Sequence, residues 1–283
     1  MSPNDSEIAY AKINLALHVR GREADGYHRI ETLFAFAEDG DLLNVTPAEN
    51  LTLVIDGPFG KALAGQPDNL VIRAANALRE RFGARAGAAI RLEKRLPIAS
   101  GIGGGSADAA AALRLLARFW NLAEDGDAIG AIARDLGADV PACLLSWPVR
   151  GEGRGDALTR IDDGALAGMP LLLVNPGVPV STGAVFSAWD RVDRGRLELG
   201  EPLAVARFGR NDLEAPARRI APEIGEALAL LQRADGVVLA RMSGSGATCF
   251  ALFETVAARD AADDAISQAR PGWWRLKTGL RGH

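Results

Sequence analysis

Several short stretches of this chain carry residue types that can do chemistry. The densest is Pro97-Ile98-Ala99-Ser100-Gly101-Ile102-Gly103-Gly104-Gly105-Ser106. Four glycines between positions 101 and 105 clear side chains from the backbone, so an anion can come close to the main-chain N–H groups. Ser106 reads as a helix N-cap, and the Ala- and Leu-rich run from Ser106 to Trp120 as the helix that follows. The first-turn N–H groups of such a helix are unpaired and carry partial positive charge, which suits phosphate.

Two familiar phosphate loops fail on spacing. A Walker A loop needs a Lys after its last glycine, and none stands there. The dinucleotide fingerprint is met only as far as Gly101-x-Gly103-x-x-Ser106. Its acidic residue could be Glu124 or Asp125, but these follow a helix instead of ending a strand. A flexible glycine loop before a core helix is the remaining alternative.

Other candidates are dispersed. Residues 8–19 alternate as a strand, with Lys12, Asn14 and His18 on one face and Ala11, Ile13, Leu15, Leu17 and Val19 on the other. That polar face either meets water or lines a cleft. Asp25-Gly26 signals a turn, and the Tyr27-His28 pair after it is either a turn anchor or an aromatic platform with directed hydrogen bonds. Asp139 precedes Pro141 as a helix N-cap would. Asn69 is a capping residue or a ligand contact. Lys94 is one charge of a solvated run or a phosphate contact.

Taken together, these motifs resemble the GHMP kinases, the family of galactokinase, homoserine kinase and mevalonate kinase. The run Pro97-x-x-x-Gly101-Ile102-Gly103-Gly104-Gly105-Ser106 is similar to the second family signature. Ala11-Lys12-Ile13-Asn14-Leu15 resembles the first, and Met242-Ser243-Gly244-Ser245-Gly246-Ala247 the third. Gly21-Arg22-x-x-Asp25-Gly26-Tyr27-His28 resembles one branch, whose acceptor carries a cytidine diphosphate head and serves isoprenoid synthesis outside the mevalonate route. The resemblance runs over nearly the whole chain.

It implies an α+β fold of two lobes, an N-terminal lobe like domain 2 of ribosomal protein S5, with a left-handed crossover, and a ferredoxin-like C-terminal lobe. The lobes are expected at 1–153 and 154–283. It implies transfer of the ATP γ-phosphoryl group to an alcohol, with Mg²⁺ bridging the phosphates. Asp139 would be the base and Lys12 its cationic partner, with Asn14 beside the reacting hydroxyl. Tyr27, His28 and Phe186 would hold the cytosine ring. Pro97, Gly101, Ile102, Gly103, Gly104, Gly105 and Ser106 would carry ATP, with Asn69 and Lys94 near its adenine. Ser106 could also reach Mg²⁺; no metal ligand is assigned beyond that. Where relatives often carry a second Ser, this chain has Ala107, so that hydroxyl plays no part here.

The elements that must position these groups follow from the pattern. Strands are expected at 29–38, 41–46, 51–55 and 88–92, and helices at 69–82, capped by Asp68, and at 127–136, closed by Gly137. In the second half, strands are expected at 170–175, 236–242 and 273–279. Helices are expected from Ser181, over 220–234 and over 257–269. Asn211-Asp212-Leu213 resembles the family's Asn-Asp-Leu, which implies that it packs and caps a helix. A boundary is expected near Gly151–Gly155.

Bulk properties narrow the class. The 283 residues are enough for two domains, and the net charge of −4 argues against a broad nucleic-acid surface. Cys143 and Cys249 sit in separate apolar runs, as reduced thiols of a cytoplasmic protein do. His18, His28 and His283 have no metal-ligand spacing. The acidic, polar start reads as no secretory signal, and no apolar run is long enough for a membrane span. The expected partner is a small cytidyl diphosphate molecule, with the chain a monomer or homodimer. The rivals are a GHMP kinase for mevalonate, homoserine or a sugar; a non-catalytic nucleotide-binding regulator on the same fold; and a dinucleotide-dependent dehydrogenase.

Overall fold

The computed structural model describes residues 5–63, 68–122 and 125–282; Glu124 and His283, named above, lie outside them. In chain order the elements are β1 (Ser6–Arg22), β2 (His28–Ala48), β3 (Leu51–Asp56), α1 (Leu70–Phe82), β4 (Gly87–Glu93), α2 (Gly104–Phe119), α3 (Gly126–Leu136) and α4 (Val140–Leu145). Then come β5 (Val149–Glu152), β6 (Ala157–Arg160), β7 (Pro170–Asn175), α5 (Thr182–Ser187), α6 (Pro202–Phe208), α7 (Glu214–Ile220) and α8 (Glu223–Gln232). The chain ends with β8 (Val237–Met242), β9 (Cys249–Phe253), α9 (Val256–Ala269) and β10 (Trp274–Gly279).

These elements form two compact units, neither continuous in sequence. One takes the residues up to Ala11, Asp39–Ile98 and Gly103–Ser146; the other takes Lys12–Glu38, Ala99–Ile102 and Trp147–His283.

In the first unit, β3 and β4 are parallel neighbours, with Leu51 opposite Ala88, and α1 makes the crossover between them. The second part of β2 pairs antiparallel with β4, Leu42 opposite Glu93. Helix α1 is capped by Asn69, whose Oδ1 accepts from the Val71 N–H at 2.8 Å, and it ends at Gly83 with φ of 67°. Helix α2 buries a stretch of small residues, Ala109 to Ala112, with Leu113, Leu115 and Leu116. Small side chains there let α1 pack closely against it.

In the second unit, β10-β7-β9-β8 form an antiparallel sheet. With α5–α8 between β7 and β8, and α9 between β9 and β10, this is the ferredoxin-like βαββαβ order. The first part of β2 pairs with β5, Thr32 opposite Gly151, and β5 turns back into β6. From β1, Leu17 and Val19 join the core cluster under the sheet. Leu17 also bonds the chain before α7: its N–H donates to Arg210 O at 2.7 Å and its carbonyl accepts from Asp212 N at 2.9 Å. Arg241 of β8 is buried with its guanidinium on the carbonyls of Leu15, Ala206 and Gly209. Burial pulls its pKa down to about 10, against the weaker opposing pull of the Glu214 carboxylate.

Several expected boundaries move. The strands expected at 29–38 and 41–46 are one strand, β2. Helix α1 takes Asn69 as its cap, not Asp68. The helix expected over 220–234 is α8, which starts at Glu223 with Pro222 as its N-cap; Ile220 belongs to the preceding helix, α7, which Pro222, lacking an N–H, does not continue. The glycine-rich stretch near 151–155 is the turn of the β5–β6 hairpin. Gly137 does close α3, but in an extended conformation, φ 160° and ψ 158°. Cys143 and Cys249 are buried thiols outside any disulfide, as expected.

Candidate active site

The glycine run enters α2 without a side-chain cap. The N-cap residue is Gly103, not Ser106, with φ of 66° in the left-handed region that glycine tolerates. Ser106 is therefore the third residue of the helix, half-buried. Gly105 is exposed, and a Cβ on it would reach only Leu70 at 3.6 Å. A Cβ on Gly104 would stand 3.1 Å from the Lys94 ammonium. This is a backbone cradle: the first N–H groups of α2 lie beside glycines, with no capping oxygen drawn from Gly103. Pro97, where the run begins, is buried.

The earlier part of the run is locked to the 243–248 loop. Ser243 Oγ donates to Gly101 O at 2.9 Å, and Thr248 N donates to Ser100 O at 3.0 Å. Gly101 has φ of 78°, and a Cβ there would fall 2.5 Å from Ser243 O. The Ile102 carbonyl accepts from Lys12 N at 3.1 Å. The second and third signature stretches thus meet through backbone contacts too close for any side chain.

Lys12 and Asn14 are 3% and 2% exposed, so the reading of their face as wet is wrong; β1 is covered on both faces here. Lys12 Nζ donates to Asn14 Oδ1 at 3.0 Å and lies 5.1 Å from the centre of the Phe34 ring. Asn14 Nδ2 donates to Thr32 Oγ1 at 2.8 Å, and Thr32 Oγ1 donates to Ala16 O at 2.7 Å. Asn14 N donates to Ser243 Oγ at 3.3 Å. Ser243 belongs to the third signature, but no motif in the sequence marks Thr32; its bond to Asn14, 18 residues away, reveals it.

Asp139 occupies the N-cap position of α4, with Pro141 in its first turn, but no capping bond runs from its side chain to the helix. It is half-buried. Asp139 belongs to the first unit and Lys12 to the second.

Lys94 is not part of a solvated run. It is 2% exposed and donates to Asp41 Oδ2 at 2.5 Å and Asp108 Oδ2 at 2.6 Å. Burial works against the ammonium, but Asp108 and Asp41 outweigh it and its pKa rises. Burial pushes the Asp108 carboxyl up to about 8 against the pull of Lys94, with Asp41 adding to the rise. Asn69 spends its Oδ1 on the α1 cap, which leaves its amide NH₂ as the group able to meet a ligand.

Around the branch-specific motif, His28 and Phe186 are half-buried ring neighbours, 4.8 Å apart and tilted by 36°, and Trp189 meets His28 edge-on at 5.8 Å. Burial, then the nearby Arg22, lowers the His28 pKa, so its ring is neutral near pH 7. Tyr27 is 55% exposed, with the Arg154 guanidinium 4.0 Å from its ring centre. Arg154 is held there by Asp25, whose Oδ1 also accepts from Tyr27 N at 3.1 Å.

Among the described residues no helix is long and apolar enough to cross a membrane. No group of three or more His, Cys, Asp or Glu is placed to hold a metal ion among them.

Comparison with known proteins gives consistent results. Residues 69–146 match the family described as GHMP kinases N terminal domain, and residues 195–270 match GHMP kinases C terminal. A 4-diphosphocytidyl-2-C-methyl-D-erythritol kinase from Rhizorhabdus wittichii is 60% identical over 99% of this chain and 96% of its own. A crystal structure of 4-(cytidine 5′-diphospho)-2C-methyl-D-erythritol kinase aligns with a TM-score of 0.80 at 36% identity, over 97% of this chain and 99% of that one. Homoserine kinase from Cytophaga hutchinsonii aligns with a TM-score of 0.69 at 16% identity, over 100% and 97%, a likeness of fold alone.

Proposed function

The chain belongs to the GHMP kinases, in the branch of the 4-diphosphocytidyl-2-C-methyl-D-erythritol kinases, and from that premise we propose how its residues phosphorylate the 2-hydroxyl of that cytidyl substrate with ATP. The observation that carries the phosphate site is the start of α2, where Gly103 supplies no side chain and Gly104 and Gly105 leave the first-turn N–H groups open. The triphosphate lies on Gly101–Ser106. The adenine lies toward Asn69, Lys94 and Pro97.

Phosphoryl transfer passes through a loose transition state, so the protein's task is positioning and charge stabilisation. Asp139 accepts the proton of the acceptor hydroxyl as the new P–O bond forms. Its carboxylate is not spent on capping α4, which supports that role. Lys12 offsets negative charge on the incoming oxygen. Asn14, held by Thr32, orients Lys12 through its Oδ1. His28 and Phe186 offer the cytosine an aromatic wall and Tyr27 a second one, while the neutral imidazole meets its polar edge.

Mg²⁺ fits this donor set: it takes most of its ligands from nucleotide phosphates and water, so a protein cage is not needed, and the Ser106 hydroxyl is the protein oxygen nearest that role. When bound, it offsets the charge of the phosphates. The functional lobes are 1–153 and 154–283, acting in the cytoplasm as a monomer or homodimer on a small molecule, not on nucleic acid.

The test is ADP release by the purified chain with Mg-ATP and four acceptors: the cytidyl substrate, mevalonate, homoserine and galactose. Turnover of the cytidyl substrate alone is expected. Turnover of another acceptor alone would overturn the roles of Tyr27, His28 and Phe186. Nucleotide binding with no turnover at all would favour a regulator on the same fold.

A further inference from the structure

Beneath the glycine run lies a buried ionic cluster in which Lys94 meets two carboxyl groups, Asp41 and Asp108, that the chemistry above does not use. Lys94, Asp41 and Asp108 have side chains 2%, 0% and 4% exposed. The two carboxylates come from different elements, β2 and α2, and Lys94 follows β4. Asp41 Oδ2 accepts from Lys94 at 2.5 Å, while its Oδ1 accepts from the N–H groups of Arg95 at 2.6 Å and Leu96 at 2.8 Å. Asp41 therefore holds the segment that leads into Pro97 and the glycines. Asp108 Oδ2 accepts from the same ammonium at 2.6 Å, which holds the first turns of α2, the element that leaves the glycines.

The ammonium itself reaches the loop. A Cβ on Gly104 would stand 3.1 Å from Lys94 Nζ, closer than a carbon and an ammonium sit at ease. The remaining carboxylate oxygen, Asp108 Oδ1, is buried with no hydrogen-bond partner. One ammonium and two carboxyl groups out of water, that of Asp108 raised to about 8 by its burial, are a poor source of stability, because desolvation offsets the attraction. What it supplies is geometry, since a short charge-assisted bond is stiff and directional.

We propose that Asp41 and Asp108 are positioning residues for nucleotide binding, fixing Lys94 under Gly104 so that the loop and the first N–H groups of α2 hold the shape that receives phosphate. This rests on the reading of the glycine run as the ATP site. Neither carboxylate touches the nucleotide; both act through Lys94. Loss of either would free the ammonium to shift, and the Gly104 peptide would lose its floor.

The experiment compares Asp108→Asn, Asp41→Asn, Gly104→Ala and the double variant Asp108→Asn/Gly104→Ala with the unaltered chain. It measures KM for ATP, kcat, KM for the cytidyl substrate, Kd for ADP by calorimetry, and thermal melting. Asp108→Asn should raise KM for ATP and Kd for ADP about tenfold, well beyond its effect on KM for the cytidyl substrate. The double variant should lose less than the product of the two single losses, because both changes act on one ammonium. A lowered melting temperature with unchanged nucleotide constants would make the cluster merely structural and overturn the proposal. So would strictly multiplicative losses. If Asp41→Asn does not fold, Asp108→Asn and the double variant still decide. If the unaltered chain binds no ADP, the assignment of the glycine run fails and takes the proposal with it. If it binds ADP and the variants bind equally well, only the proposal fails.

Discussion

Asn14 holds Lys12 with one end of its amide and Thr32 with the other: Oδ1 accepts from the ammonium at 3.0 Å and Nδ2 donates to the hydroxyl at 2.8 Å. The amide can be oriented only one way, because Thr32 Oγ1 already donates to Ala16 O and must accept from Asn14. Thr32→Val keeps the shape and removes the acceptor. An unsatisfied buried amide N–H costs about 1–3 kcal/mol. Single-turnover kinetics should show a slower transfer step with ADP affinity within twofold of normal; a transfer rate like that of the unaltered chain would remove Thr32 from the chain of positioning contacts.

Asp139→Asn keeps the size of the side chain and removes the proton acceptor. Transfer should fall about 10²–10⁴-fold, the usual worth of a general base. Nucleotide affinity should hold, because the α4 N-terminus does not rely on that side chain for capping. Full activity in this variant would take the base role from Asp139.

Tyr27→Ala and Phe186→Ala should each raise KM for the cytidyl substrate and leave KM for ATP near its normal value. The structure adds a difference between them. Phe186 packs on His28, so its loss also frees that imidazole. Tyr27 is exposed under Arg154, so its loss should leave melting unchanged. Equal effects on both substrates, in either variant, would argue against a cytosine site here.

Gly101 and Gly104 should fail in different ways. Gly101→Ala forces a Cβ to within 2.5 Å of Ser243 O at a φ of 78°, so the loop must break from the 243–248 turn. The expected loss is about 1–3 kcal/mol of stability, seen as a lower melting temperature together with lost ADP binding. Gly104→Val meets a side-chain end and no backbone: the Lys94 ammonium, which would have to give way between Asp41 and Asp108. It should melt near normal and still fail to bind ADP, as a titration would show; an unchanged ADP titration would move the phosphates elsewhere.

His18 sets a pH dependence. Its Nε2 accepts from Arg210 N at 3.3 Å, so Nδ1 carries the proton and faces Gly195 O at 3.2 Å. Burial, helped by Arg210, lowers its pKa from 6.5. The unfolded chain therefore takes up the proton first as pH falls. The stability His18 contributes is complete above pH 6.5 and is lost below it, down through the folded value. His18→Gln keeps a donor and an acceptor but does not titrate. Between pH 7.5 and pH 5.5 it should lose less melting temperature than the unaltered chain, by about 2 °C or more. Identical slopes would show that other groups carry the acid sensitivity.

Local spacing made part of the site legible. Glycines at 101 and 103–105 announce a close approach whatever the fold, and the alternation of 11–19 gives β1 its two faces. The order of β7 to β10 fits the ferredoxin-like lobe expected from family resemblance. What the sequence hid depends on distant partners. Lys94 stands between Glu93 and Arg95 and looks solvated, but only its neighbours face outward, paired to each other; its own partners lie 53 and 14 residues away. Ser106 looked like the cap because hydroxyls usually cap, yet the left-handed turn at Gly103 starts the helix earlier. The β5–β6 hairpin is not legible because its four-residue strands are too short to show a period.

The anchoring of β1 also fixes an order of events at the ribosome. Leu15 O waits for Arg241, 226 residues later, and Val19 N for Asp212, 193 residues later. At about 5–20 residues per second, that is roughly 10–40 s of synthesis before the first of these bonds can close. Until then the apolar side chains of the nascent β1 have none of these partners. A chain terminated early, even one that includes every residue up to Ser146, would leave Leu17 and Val19 without most of the core they join and would be a substrate for chaperones and proteases in place of a smaller working protein.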